Sequence, residues 1–226
     1  AAQLRPRLLR RFALGHVREF LGLSRVKCAI TGAAPVAPDL LRWFMAIGID
    51  LREAYGMTET GGLVSCTAPG RMRPGFAGQK AGDTEVRIGE EGEILVRGPH
   101  VFPGYFGMPE ETAQAIDAEG WLHTGDVGEI DAEGNIGIRD RLKDIIITSG
   151  GKNITPSAIE NLLKFSPYIS DAVVIGEARK FVACLVMIDQ DNVARFAQEQ
   201  LVPYTDFASL TRSEEVLRSE EHTSEL

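Results

Sequence analysis

Apolar and polar positions along the chain change texture twice. Leu4, Leu8 and Phe12 recur at helical spacing and predict a helix over about residues 4–20. Residues 26–30 read as a strand, Thr31-Gly32-Ala33-Ala34-Pro35 as a loop, and Pro38-Asp39 as the opening of a second helix, where the N–H that proline lacks has no partner to lose. Leu40, Leu41, Phe44 and Met45 give that helix one apolar face, and Gly48 suits a left-handed stop after it. Residues 49–55 read as another strand, and the strand–loop–helix–strand order predicts a sheet covered by helices.

From about Gly75 short alternating strands with glycine turns take over, clearest between Gly92 and Gly98, and predict a small antiparallel sheet or barrel. A third texture begins near Arg139. Residues 145–148 read as a strand, Ser149-Gly150-Gly151 as a tight turn, and Thr155-Pro156 as a capped helix start, with Ala158, Ile159, Leu162 and Leu163 buried behind it. Two apolar strands (172–175 and 181–188) and a helix near 191–200 complete a compact α+β unit. The charged run 139–144 suits a boundary in solvent between two bodies. The fold class expected is thus α/β followed by α+β.

Charge narrows the function classes. The net charge of −8, from 24 basic and 32 acidic side chains, argues against a nucleic-acid partner, which demands a basic excess. Cys28, Cys66 and Cys184 lie far apart with no CxxC pair, which disfavours a disulfide scaffold or a structural zinc site and makes a reducing cytoplasm the default. The apolar runs are too short for a transmembrane segment, which leaves peripheral membrane contact open. The Arg-rich, acid-poor start fits a transit peptide or a helix interior to a longer protein, and its unbroken passage into a strand favours the second. Residues 218–226 read as the translation of a sequencing-adapter oligonucleotide rather than native protein.

Familiar chemistry is absent in outline. Gly151-Lys152 lacks the earlier glycine and the following Ser or Thr of a phosphate loop, no GxGxxG follows a strand, no GxSxG elbow occurs, and the four histidines are scattered. Three polar clusters remain. Glu53-Ala54-Tyr55-Gly56-Met57-Thr58-Glu59-Thr60 offers a ring, a hydroxyl and a carboxylate that suit a base, a phosphate and Mg²⁺, although its spacing alone favours a surface turn with one packed tyrosine. Asp126, after Gly125, suits two adjacent ribose hydroxyls or a plain turn. Arg139-Asp140-Arg141-Leu142-Lys143-Asp144 also fits a solvated charge run.

In this order the clusters resemble the adenylate-forming superfamily of acyl-CoA synthetases, adenylation domains and luciferases. Tyr55-Gly56-Met57-Thr58-Glu59 is similar to the family's tyrosine–glycine–x–threonine–glutamate core, Thr31 to Pro35 to its adenine-side loop, and Gly120 to Asp126 to its ribose aspartate. Asp140 to Ile146, with Ser149 to Ile154 and Pro156 to Glu160, resembles the hinge and the start of its C-terminal domain. The resemblance spans roughly residues 20–217, and the stretch from Leu185 to Phe207 looks most like bacterial long-chain fatty acid–CoA ligases.

The resemblance implies that residues 1–139 are the C-terminal portion of the large AMP-binding domain, 140–144 a hinge, and 145–217 a partial C-terminal domain. By resemblance Gly32, Ala33 and Ala34 line the adenine, with Glu53, Gly56 and Met57 around the same nucleotide and Tyr55 stacked on the base. Thr58 would serve the α-phosphate and Glu59 would hold Mg²⁺. Asp126 and Arg141 would hold the ribose, Lys143 would be the hinge, and Ser149, Gly150 and Gly151 would meet the pantetheine arm of coenzyme A. ATP, a fatty acid and coenzyme A are the implied substrates. The family's upstream phosphate loop and late C-terminal lysine have no counterpart here. The chain is therefore expected to be a fragment that lacks its N-terminal region and is inactive alone. Another carboxylate, a carrier-protein thiol, or nucleotide binding without catalysis stay open as alternatives.

Overall fold

Two short strands run parallel with Thr31 opposite Glu53: β1 (Ala29–Thr31) and β2 (Leu51–Tyr55). Parallel neighbours need a crossover, and helix supplies it. The computed structural model describes residues 14–34 and 36–216; the start of the expected 4–20 helix, Pro35 and the 218–226 segment lie outside the described residues. Helix α1 is helical over residues 14–20, and α2 (Pro38–Ala46) carries the chain from β1 to β2. Gly48, at φ +84°, makes the left-handed stop that the sequence suggests. Leu41, Ile47, Ile49 and Leu51 form the buried cluster below, with Leu14, Val17 and Phe44 packed against it. The expected four-residue face of α2 is narrower in the structure. Leu40 and Met45 are exposed, because the layer beneath covers only the Leu41–Phe44 stripe.

β3 (Ser65–Cys66) and β4 (Gln79–Lys80) extend this sheet antiparallel, giving the order β1-β2-β3-β4. A second antiparallel sheet has the order β5 (Glu85–Ile88), β6 (Glu93–Arg97), β7 (Leu122–Ile130) and β8 (Ile136–Arg141). The sheets are stitched together where Ala77 N–H donates to Ile136 O and Ile136 N–H to Gly78 O, both at 2.8 Å. Gly78 also lets the chain run close against β3 of its own sheet: at φ +73°, a Cβ there would lie 2.3 Å from the Cys66 carbonyl oxygen. Tyr55, Val64, Ala77, Ile94, Val96 and Ile136 fill the space between, so the strands curl into an open half-barrel around one core. Trp121, at the head of β7, meets the guanidinium groups of Arg87 and Arg97, 4.2 and 4.5 Å from its ring centroid. α3 (Pro109–Ala115) precedes it.

The described residues divide into two compact units between Lys143 and Asp144. The second begins with a hairpin of β9 (Ile146–Ile147) and β10 (Asn153–Ile154), followed by α4 (Pro156–Leu163). Antiparallel β11 (Ile169–Ile175) and β12 (Ala183–Ile188) then pair, Val173 opposite Leu185. α5 (Gln190–Glu199) is capped by Asp189, whose carboxylate accepts the Asn192 N–H at 2.9 Å, and α6 (Phe207–Leu210) by Asp206. Two expectations fail at α4. Thr155 occupies the cap position without a side-chain capping bond, its helix relying on Pro156 instead. Ala158 and Leu162 are exposed while Ile159 and Leu163 are half-buried, since β11 covers one side of the helix only.

Candidate functional site

The site in the first unit begins with a bulge. Glu93 of β6 pairs with Val127 and Leu95 with His123, so β7 carries two residues more than β6 across this stretch. Gly125 takes φ +68° to absorb them. Glu93 then satisfies the exposed corner, one oxygen accepting the Gly125 N–H and the other meeting His123 Nδ1, both at 2.8 Å. The Thr124 hydroxyl donates to the Ile94 carbonyl at 2.7 Å and accepts the Asp126 N–H at 3.1 Å. The bulge turns Asp126 inward, where it is 7% exposed.

Two donors meet the Asp126 carboxylate. The Tyr55 phenol, 71 residues away in sequence, donates to Oδ2 at 2.6 Å. Arg141, directly opposite Asp126 in the β7–β8 register, donates to Oδ1 at 2.7 Å and to the Thr124 carbonyl at 3.2 Å. Tyr55 is 9% exposed and its ring packs into the half-barrel core, so little of its face is open to a stacking base. Burial, then the neighbouring Asp126 charge, pushes its phenol well above the usual tyrosine range.

The remaining first-unit residues lie along the carboxyl ends of the parallel pair, the usual ligand edge of such a sheet. Gly32 lies flush against β2: a Cβ there would be 2.7 Å from the Ala54 carbonyl oxygen. Ala33 and Ala34 are exposed beyond it, Ala33 at φ +67°. Glu53 has one carboxylate oxygen buried without a partner, and burial raises its pKa to about 7 despite a bond from the Gly75 backbone. Gly56 admits no side chain, since a Cβ would sit 2.4 Å from the Gly62 carbonyl oxygen. After it, Thr58–Thr60 form one 3-10 turn held by the buried Thr60 hydroxyl, which accepts the Met57 N–H at 3.1 Å. Thr58 faces solvent, and half-buried Glu59 accepts the Tyr105 phenol at 2.8 Å on Oε1.

The residue set fits a nucleotide and Mg²⁺. Each Asp126 oxygen has a second lone pair for a ribose hydroxyl. Mg²⁺ commonly takes one or two carboxylates plus phosphate oxygens. That suits Glu59 and the finding that, among the described residues, no three His, Cys, Asp or Glu cluster as a metal cage.

Lys143 is exposed in a single 3-10 turn, Leu142–Asp144, at the junction of the units. Ser149, Gly150 and Gly151 form an exposed turn of the second unit, with Gly151 at φ +76° and the Ser149 N–H donating to Arg179 O at 2.8 Å. Glu93, Thr124 and Tyr105 are the supporting residues that sequence reasoning misses. Thr124 lies two residues before Asp126 and is the one with a visible signal; the others depend on strand register and loop path.

A family model described as AMP-binding enzyme matches residues 2–106, and one described as AMP-binding enzyme C-terminal domain matches residues 143–210. The long-chain-fatty-acid–CoA ligase ACSBG2 of Gallus gallus is 38% identical over 188 residues, covering 80% of this chain and 25% of that protein. The o-succinylbenzoate CoA synthetase of Bacillus subtilis in complex with the acyl-adenylate intermediate OSB-AMP superposes with a TM-score of 0.67 at 29% identity, over 79% of this chain and 40% of that one. The same synthetase in complex with ATP and magnesium gives 0.63 at 30% identity, over 79% and 41%. The chain spans a quarter to a third of the length of the curated relatives it matches.

Proposed function

The chain belongs to the AMP-binding, adenylate-forming enzymes, and from that premise we propose that it supplies the adenosine-holding part of an ATP-dependent acyl-CoA synthetase for long-chain fatty acids. The observation that carries this reading is the convergence of Tyr55 and Arg141 on the two oxygens of Asp126. A carboxylate is a poor electrophile. Joined to AMP as a mixed anhydride it gains a good leaving group, which a thiol such as coenzyme A then displaces. The first half-reaction brings two anions together, so fixed geometry and positive charge carry most of the work.

In this reading Asp126 accepts from both ribose hydroxyls while Tyr55 and Arg141 keep its oxygens aimed. Gly32, Ala33 and Ala34 lie against the adenine, with Tyr55 offering a ring edge and its hydroxyl rather than a full stacking face. The solvent-facing Thr58 hydroxyl donates to the α-phosphate. Glu59 holds Mg²⁺, which when bound neutralises part of the phosphate charge. Lys143 is the hinge between half-reactions, and Ser149, Gly150 and Gly151 receive the pantetheine arm, where small residues allow close backbone approach. The unpaired Cys28, Cys66 and Cys184 support a reducing, cytoplasmic setting.

Calorimetric titration with AMP and with a non-hydrolysable acyl-adenylate analogue tests the reading. Saturable binding is expected, weakened at least about tenfold, or ~1.4 kcal/mol, in Asp126→Ala. Unchanged affinity in that variant would remove Asp126 from the site. In an enzyme that contains this chain, Lys143→Pro is expected to impair thioester formation more than AMP binding; equal losses would count against the hinge.

A further inference from the structure

We infer that Tyr105 is a positioning residue for the Glu59 carboxylate, setting how tightly the site takes a divalent cation together with nucleotide. This rests on the proposed reading of Glu59 as the cation-holding carboxylate.

A lone carboxylate on a surface turn rotates freely, and a cation must halt that rotation before it can bind. Here the rotation is already stopped. The Tyr105 hydroxyl donates to Glu59 Oε1 at 2.8 Å, which leaves Oε2 to face a ligand. The backbone is tied as well: the Phe102 N–H donates to the Glu59 carbonyl at 2.8 Å, so one loop grips the residue at both ends.

That loop is itself braced. Thr112 Oγ1 of α3 accepts the Tyr105 N–H at 2.9 Å and donates to Met108 O at 2.7 Å. The rings of Phe102 and Tyr105 meet edge to face at 4.8 Å. Gly104 takes φ +142°, and a Cβ there would lie 2.5 Å from Thr112 Cγ2, so the loop closes on α3 only with glycine at this point. A carboxylate that offers one oxygen outward while a neutral donor holds the other is how outer-shell partners orient ligands of metals, and losing such a partner typically weakens metal binding 10- to 100-fold.

Mn²⁺, read by water-proton relaxation, serves as a paramagnetic stand-in for Mg²⁺. It is titrated into the whole chain with saturating ATP, and AMP affinity is measured separately in metal-free buffer. Tyr105→Phe keeps the ring contact and deletes only the hydroxyl. It is expected to weaken Mn²⁺ binding about 10- to 100-fold while leaving metal-free AMP affinity and the melting temperature unchanged. Glu59→Gln is the control for the underlying reading and should weaken Mn²⁺ at least as much. If Glu59→Gln binds Mn²⁺ like the parent, or the parent binds none with ATP, the reading of Glu59 fails and the inference with it. If Glu59→Gln weakens Mn²⁺ but Tyr105→Phe does not, only the inference is overturned. An equal loss of Mn²⁺ and metal-free AMP binding in Tyr105→Phe would also overturn it, by showing a merely structural role.

Discussion

Glu53 holds its proton up to a pH of about 7, where an ordinary glutamate gives it up near 4.5. Its half-buried carboxyl, one oxygen without a partner, titrates at about 7 against 4.5 in the unfolded chain. Below about 4.5 the group is neutral in both states and costs nothing. Between about 4.5 and 7 the unfolded chain releases a proton that the fold retains, so stability falls as pH rises through this window. Glu53→Gln should therefore gain on the order of 2 kcal/mol at pH 8, after a discount for partial exposure, and nothing at pH 4. Urea unfolding at both values checks this, and an equal effect at both would assign the change to packing. Tyr55→Phe behaves differently. The ring stays packed, but an Asp126 oxygen loses its donor, so a stability loss of about 1–2 kcal/mol is expected with the fold intact; denaturant midpoints decide it.

At the scale of elements, the apolar run Ile94-Leu95-Val96 framed by Gly92 and Gly98 identifies β6, which occupies Glu93–Arg97. The bulge that aims Asp126 leaves no such trace, because it exists only in the register between β6 and β7. Gly125 is its one visible mark. A Cβ there meets nothing within 4 Å, so the cost of Gly125→Ala is conformational, about 1–2 kcal/mol for φ +68°. AMP affinity should fall with it as Asp126 swings; calorimetry that shows full affinity would free Asp126 from the bulge. Gly78→Ala adds collisions with backbone to the same strain and should cost more, roughly 3 kcal/mol. The faces of α2 and α4 were only half legible for another reason. Periodicity tells which residues are apolar, while Leu40 and Leu162 are exposed because, among the described residues, no neighbouring layer covers them. The motif residues were legible since their types and order carry the signal; Glu93 and Tyr105 act through partners distant in sequence.

Across the described residues, one face of β11–β12 leaves large apolar side chains exposed. β12 is apolar on both faces, yet Leu185, opposite Val173, is 64% exposed and Met187, opposite Asp171, is 63% exposed. Leu185→Glu with Met187→Lys replaces two exposed side chains and should not lower the melting temperature; a clear drop would show that this face is covered. Another whole-chain property comes from the stacked indole. The chain has two tryptophans, Trp43 at 44% exposure and Trp121 at 6%, in contact with two guanidinium groups five residues before Asp126. Replacing Trp43 by Phe leaves a single blue-shifted fluorophore at the head of β7, so the emission spectrum of the chain becomes a built-in optical gauge of that strand, readable without any dye.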